Sequence, residues 1–189
     1  MKTALSLSKE TDRLLIRFYE KSDFPNWHES MKQRMPSQQP FDDGRPTGIE
    51  NYTSETFSAW VEKDHHAAEK DYFYHLGIFR KQDGVHIGKI ELFTILRMDY
   101  QWGMMGYSIH NQFWRQEYGM ESVKAASELF FNVLGFHRLE LHIHPDNAPS
   151  LQLAEKAGFR LECRRESFSL ENGVWSDMLI YYLNNNLSQ

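Results

Sequence analysis

The stretch from residue 72 to residue 144 constrains the fold more than any other. "YFYHLGIFR" (72–80) and "VHIGKIELFTIL" (85–96) are rich in aromatic and β-branched residues and flank the turn pair Asp83-Gly84. They read as a β-hairpin. "YQWGMMGYSIH" (100–110) follows as a third strand, loosened by Gly103 and Gly106. The period then changes, and Val123, Ala126, Leu129, Phe130 and Val133 fall on one side of a helix over 118–134. "RLELHIH" (138–144) returns to strand alternation. An antiparallel run that feeds a helix and then another strand gives a mixed sheet with one strand–helix–strand crossover. At such a crossover a ligand can meet the helix N-terminus.

The rest of the chain fits around this unit. "RLLIRFY" (13–19) reads as an opening strand, and Ser22 and Asp23 supply cap chemistry for a helix carrying Phe24, Trp27 and Met31 over 22–35. A polar loop, "PSQQPFDDGRPTG" (36–48), holds three of the six prolines. Loops of this length are often functional. Residues 53–69 form a helix capped by Thr53 or Ser54, with Phe57, Trp60 and Val61 on one face. "NAPSLQLAEKAGF" (147–159) is a short helix with Asn147 at its cap and Gly158 ending it. Two strands near 160–170 and 174–183 close the chain through the turn Glu171-Asn172-Gly173. With no linker, repeat or low-complexity tract, residues 1–189 form one α/β domain that is neither doubly wound nor a ferredoxin-like split.

Charge narrows the partners. The net charge is −5 and the Lys and Arg residues are dispersed. Nucleic acid and anionic membranes, which attract basic stripes, are disfavoured, and a cationic substrate fits better. Cys163 is the single cysteine, so no internal disulfide forms. No signal peptide or membrane span is visible, which points to the cytoplasm and makes the sequons at Asn51 and Asn186 chance matches. The five tryptophans, at 27, 60, 102, 114 and 175, are expected mostly in the core.

Three motifs then carry a resemblance. "DNAPSLQLAEKAGF" (146–159), "MGYSI" (105–109) followed by "FWRQEYGMES" (113–122), and "ENGVWSDMLIYY" (171–182) are similar to motifs of the GNAT superfamily of acetyl-CoA-dependent N-acetyltransferases. The chain resembles most the RimJ/RimL-type branch, which acetylates ribosomal proteins, over nearly its whole length. The resemblance implies a central, mostly antiparallel sheet with helices on both faces. It also implies acetyl-CoA as acetyl donor, no metal, and direct transfer to a primary amine in a ternary complex. The amine would be a ribosomal or other protein N-terminus, or a small molecule. A non-catalytic acyl-CoA-binding or sensing domain is the alternative. Oligomeric state stays open, a homodimer among the options.

By the same resemblance, the coenzyme would lie along Tyr107, Ser108 and Ile109. Its pyrophosphate would meet the turn formed by Arg115, Gln116, Tyr118, Gly119, Met120 and Glu121, and its pantetheine arm would lie beside Asn147 and Ser150. Arg115 and Glu117 stand where the family's turn has glycines, and only Gly119 is kept. Glu117 either repels a pyrophosphate or turns outward on the first helical turn, where a carboxylate is favourable.

An acetyl transferase needs a deprotonated amine and a donor for the leaving thiolate. Ser150 is the candidate donor, and it also occupies a helix start where serine is common. Many relatives carry a glutamate at the position of Met104, so the base is sought elsewhere. Glu91, acting through water, and His110, whose ordinary pKa suits the task, are the candidates. Asp177 is expected to bind or orient the amine. "HIHPD" (142–146) could place His142, His144 and Asp146 as metal ligands. The family needs no metal, and His142 is read instead as an acceptor-groove residue.

Overall fold

The computed structural model describes residues 7–171 and 173–185. Asn172 of the last turn and the sequon at Asn186 lie outside the described residues. The elements are β1 (Ser8–Glu10), β2 (Leu14–Phe18), α1 (Phe24–Lys32), α2 (Ser54–Glu69), β3 (Phe73–Arg80) and β4 (His86–Leu96). They continue with β5 (Trp102–Ile109), α3 (Tyr118–Asn132), β6 (Arg138–Ile143), α4 (Ala148–Lys156), β7 (Arg160–Glu171) and β8 (Val174–Asn184).

Local chemistry explains most boundaries. The helix expected from residue 22 begins as a 3-10 turn, Lys21–Asp23, and becomes α-helical where Pro25 occupies the first turn. Proline is tolerated there because that N–H has no intrahelical partner. Asp23 fixes the entry by accepting from the Glu20 N–H at 2.8 Å and from the Arg17 guanidinium at 2.7 and 2.8 Å. Thr53 caps α2 reciprocally with Thr56. β1 has three residues and no periodic signal, and it exists by pairing with β2 from Ser8↔Arg17 to Glu10↔Leu15.

The sheet order is β1-β2-β3-β4-β5-β6-β8-β7. Every neighbouring pair is antiparallel except β5 and β6. Those two are parallel, joined through α3, and paired only as Trp102↔Arg138, Gly103↔Leu139 and Met104↔Glu140. Beyond Met104, β5 keeps to β4 as far as Gly88↔Ile109, while β6 keeps to β8 as far as Ile143↔Leu179. The two strands therefore part, leaving a wedge in the middle of the sheet.

Two apolar layers hold the sheet. On one face α3 and α4 pack on Leu76, Ile78, Ile90, Leu92, Leu139 and Leu141, with Val123, Ala126, Phe130 and Ala154 buried among them. On the other, α1 and α2 enclose Tyr19, Trp27, Ile49, Phe57, Val61 and Phe79. Each large side chain buried this way contributes about 1.5–3 kcal/mol. Trp175 departs from the core expectation: it lies 61% exposed on β8, in the outer hairpin with β7. Val133 is also exposed, because α3 ends one residue before it.

The long polar loop is pinned from below. Asn111, buried just after β5, accepts from the Met35 N–H at 2.8 Å and donates to the carbonyls of Met35 and Pro36 and to Asp42. Asp42 in turn accepts from the backbone N–H groups of Gln38 and Gly44. These bonds hold its carboxyl below the usual range against the opposing effect of burial. Asn111→Ala would take one donor from Asp42 and from the Met35 and Pro36 carbonyls and leave the Met35 N–H without its acceptor, a cost of about 1–3 kcal/mol. The expected result is a Tm lower by roughly 3–10 °C in a thermal melt.

Candidate active site

The turn between β5 and α3 comes first, because its shape answers the glycine question. Trp114 ties it down by donating from Nε1 to the Ile109 carbonyl at 2.7 Å. Arg115 and Glu117 then adopt φ of 62° and 64°, the left-handed conformation that glycine adopts readily. The backbone has kept the glycine geometry at both positions with side chains in place, at a cost of order 1–2 kcal/mol each. Glu117 is exposed and makes no side-chain cap bond. The first intrahelical bond runs from the Glu121 N–H to the Glu117 carbonyl, so the amides of Tyr118, Gly119 and Met120 precede it, as an anion site needs.

Residues far back in the chain hold this turn. Arg13 donates to the Gln116 carbonyl at 3.0 Å, pairs with Glu121 at 2.6–2.7 Å, and lies 4.6 Å from the centre of the Tyr118 ring. Thr11 also donates to Glu121 at 2.5 Å. The side chains of Tyr118 and Glu121 are thus engaged with the β1–β2 corner. A Cβ on Gly119 would stand 2.7 Å from Leu153 of α4, so its smallness lets α3 and α4 meet. A shallow cavity of about 310 Å³ beside Tyr118 is bordered by Arg13, Arg80 and Lys81. Each cation there already has a carboxylate partner, in Glu121, Asp83 and Glu10.

A second cavity, of about 200 Å³, fills the wedge between β5 and β6. On the α3/α4 side the Tyr107 hydroxyl lies 2.7 Å from Ser150 Oγ. Asn147 does cap α4, accepting from the Ser150 N–H at 3.3 Å, and it lines the same cavity. Burial pushes the Tyr107 phenol up to about 12, so it stays protonated and can donate. Phe41, from the pinned loop, closes one wall against His144, with ring centres 4.8 Å apart.

On the α1/α2 side, Glu91 is the cross-strand partner of Gly106, which lines the cavity. Its Oε1 pairs with Lys89 Nζ at 2.8 Å. His110 is placed differently from the expectation of a titrating base. It is buried beside His86, ring centres 4.8 Å apart, and its Nδ1 has no hydrogen-bond partner among the described residues. Burial, with help from His86 and Arg34, drives its pKa down to about 2. His86 is likewise driven to about 3 by burial. It accepts from the Tyr19 hydroxyl and donates to Ser30, whose own proton goes to the Trp27 carbonyl.

Asp177 is committed to β7, where it accepts from the Ser167 N–H at 2.8 Å and from Arg164. These contacts lower its pKa and leave it holding an irregular stretch of strand rather than facing the wedge. His142 lines the cavity, with Nε2 2.9 Å from Glu140. His144 Nδ1 accepts from the Asp146 N–H. Among the described residues no three His, Cys, Asp or Glu side chains converge on a metal position. Sequence reasoning missed Tyr107 as a possible proton donor beside Ser150. The "GY" of the strand motif was the available signal.

A parted pair of parallel strands, a left-handed turn at the helix start and a wedge lined by polar side chains thus lie together in the middle of the sheet. Residues 13–160 match the family model described as "Acetyltransferase (GNAT) domain", and the chain belongs to that family. It is 33% identical over 126 residues to the Bacillus subtilis protein named "Probable N-acetyltransferase YjcK", covering 67% of this chain and 70% of that one. Its fold matches the ribosomal-protein-S5-alanine acetyltransferase of Vibrio fischeri, with a TM-score of 0.74, 18% identity, and 96% and 98% of the two chains covered. It also matches Mycobacterium smegmatis RimJ in complex with CoA-disulfide, with a TM-score of 0.75, 16% identity, and 93% and 84% covered.

Two outcomes are expected. Glu117→Gly relieves a left-handed side chain, so it raises the denaturation midpoint, by an amount corresponding to about 0.5–1 kcal/mol. The second concerns acid. Unfolded, His86 and His110 titrate near about 6.5; folded, they stay neutral to about 3 and about 2. Between these limits the unfolded chain binds more protons, so stability is lost as pH falls below about 6.5. The loss is about 1.4 kcal/mol per pH unit per histidine, measurable by urea titration, and His110→Gln would remove about half of it.

Proposed function

We propose that the protein transfers the acetyl group of acetyl-CoA directly to a primary amine within a ternary complex. The carrying observation is the wedge, with the Tyr107–Ser150 hydroxyl pair on its α3/α4 side and Glu91 beside Gly106 on the other. The parted strands leave the β5 edge from Met105 to Ile109 free of β6, which suits an amide-bearing pantetheine arm. The left-handed turn before α3 suits a pyrophosphate.

The amine nitrogen attacks the thioester carbonyl, the C–N bond forms, and the C–S bond breaks. If Tyr107 donates to Ser150 Oγ, the Ser150 proton is left for the sulfur and Tyr107 regains a proton from the nitrogen that has attacked, so the pair relays that proton to the thiolate. The base is Glu91, one step along the same sheet face from Met104, which pairs with Phe93 as Gly106 pairs with Glu91. A protein α-amine, with pKa near about 8, loses its proton more easily than a lysine near about 10.4. The RimJ-type fold neighbours make a protein N-terminus the favoured acceptor class, and the net charge of −5 suits a cationic one. Cys163, exposed on β7, is outside the wedge, in keeping with transfer that forms no acyl-enzyme.

The test is thiol release from acetyl-CoA with a panel of peptide N-termini, polyamines and aminoglycosides. Ser150→Ala and Tyr107→Phe are each expected to lower kcat by roughly 10–100-fold, with a smaller change in KM for acetyl-CoA. Coenzyme binding without transfer to any amine would instead establish an acyl-CoA sensor.

A further inference from the structure

One row of side chains crosses the sheet face covered by α1 and α2 and ends at the wedge. Tyr19 follows β2, His75 and Glu91 are direct cross-strand partners on β3 and β4, and Glu91 is opposite Gly106 on β5. His75 is 6% exposed. Its Nδ1 lies 2.8 Å from Oδ2 of Asp64, a buried carboxylate on α2. Its Nε2 has no hydrogen-bond partner among the described residues and sits 3.9 Å from Glu91 Oε1. Edge contacts with Tyr19 and Trp60, at 5.2 and 4.9 Å between ring centres, keep the imidazole from turning elsewhere.

A buried imidazole nitrogen without a partner is unfavourable, and an apolar ring of the same size would avoid that penalty. The arrangement makes sense if Nε2 has a transient use. Glu91 stands between His75 and the wedge. A Cβ built on Gly106 would lie 3.7 Å from Glu91 Oε2, an ordinary contact, which puts the carboxylate beside the strand that lines the wedge.

We propose that Asp64 and His75 form a positioning and proton-storing pair for the acetyl transfer, acting through Glu91. This rests on the transfer reading above. An ammonium N–H bond of the acceptor breaks and its proton goes to the Glu91 carboxylate. A change of Glu91 side-chain torsion closes the 3.9 Å gap, and the proton passes to His75 Nε2. Asp64, already bound to the Nδ1 side, stabilises the imidazolium. The freed amine attacks, and the second nitrogen proton leaves with the thiolate through Tyr107 and Ser150. After product release the stored proton returns through Glu91 to water. The charged or titratable groups around His75 are Asp64 from α2, Glu91, its partner Lys89 and His86 from β4, and Tyr19 after β2. Burial holds the Tyr19 phenol well above its usual range, and its hydroxyl is bound to His86.

The experiment compares wild type with His75→Gln, Asp64→Asn and Glu91→Gln. Each is assayed for acetyl-CoA thiol release from about pH 6 to 9.5, with the thermal shift produced by acetyl-CoA as the check on folding and donor binding. The amine is the one most active in the panel with wild type. The expected result is a roughly 10–100-fold lower kcat near pH 7 in all three variants, with an unchanged thermal shift. The activity should recover as pH approaches the amine's own pKa, because the base is then no longer needed. An equal loss at every pH, or a superimposable pH profile, overturns the relay. A Glu91→Gln profile left in place excludes it whatever the His75 variant does, even if that variant unfolds. Wild type that binds acetyl-CoA but acetylates no amine overturns the transfer reading and this proposal with it. An active wild type with unmoved variant profiles overturns the relay alone.

Discussion

The parting of β5 from β6 after Met104 is the constraint on which the other features depend. Parallel strands that remained paired would bury their facing backbone groups in a ladder and leave no opening in the sheet. Here β5 is held by β4 and β6 by β8, so each strand keeps one full ladder and gives up the other. The opening falls where the crossover helix begins. A cavity, a free strand edge and a set of helix amides are thus brought together by one topological step.

The sheet also divides the chemistry. The hydroxyl pair Tyr107–Ser150 lies on the α3/α4 side, and the carboxylates of Glu91 and Glu140 with His75 and His142 lie on the α1/α2 side. In the proposed transfer, a donor thioester and an acceptor amine approach from opposite faces and meet in the wedge. Phe41, on the loop pinned by Asn111 and Asp42, adds the wall that the sheet itself lacks.

Much of the fold was legible because its signals are local. Helix α2 is capped by Thr53, α4 is capped by Asn147, and the β3–β4 turn is at Asp83-Gly84, each set by chemistry within four residues. β1 was not legible, since three residues carry no period and only β2 defines them. The site divides the same way. Ser150 and Asn147 belong to a compact motif and do line the wedge. His110 misled because its ordinary pKa says nothing about burial, which only the packing around it supplies. Asp177 misled because its partners, Arg164 and Ser167, come from a strand irregularity with no sequence marker. His75 was invisible as a site residue, since its meaning lies in being opposite Glu91 across a ladder.

The left-handed turn at Arg115 and Glu117 carries one more consequence. Without glycine, the local Trp114–Ile109 bond is joined by contacts from Thr11 and Arg13, separated from Glu121 by 110 and 108 positions. A glycine-built turn would be ready as soon as α3 formed. This one has to wait for the opposite end of the chain to dock, and contacts of such long sequence separation form late and slowly. The left-handed turn is therefore a product of the completed topology, and strands β1 and β2 belong to it as much as the helix it introduces.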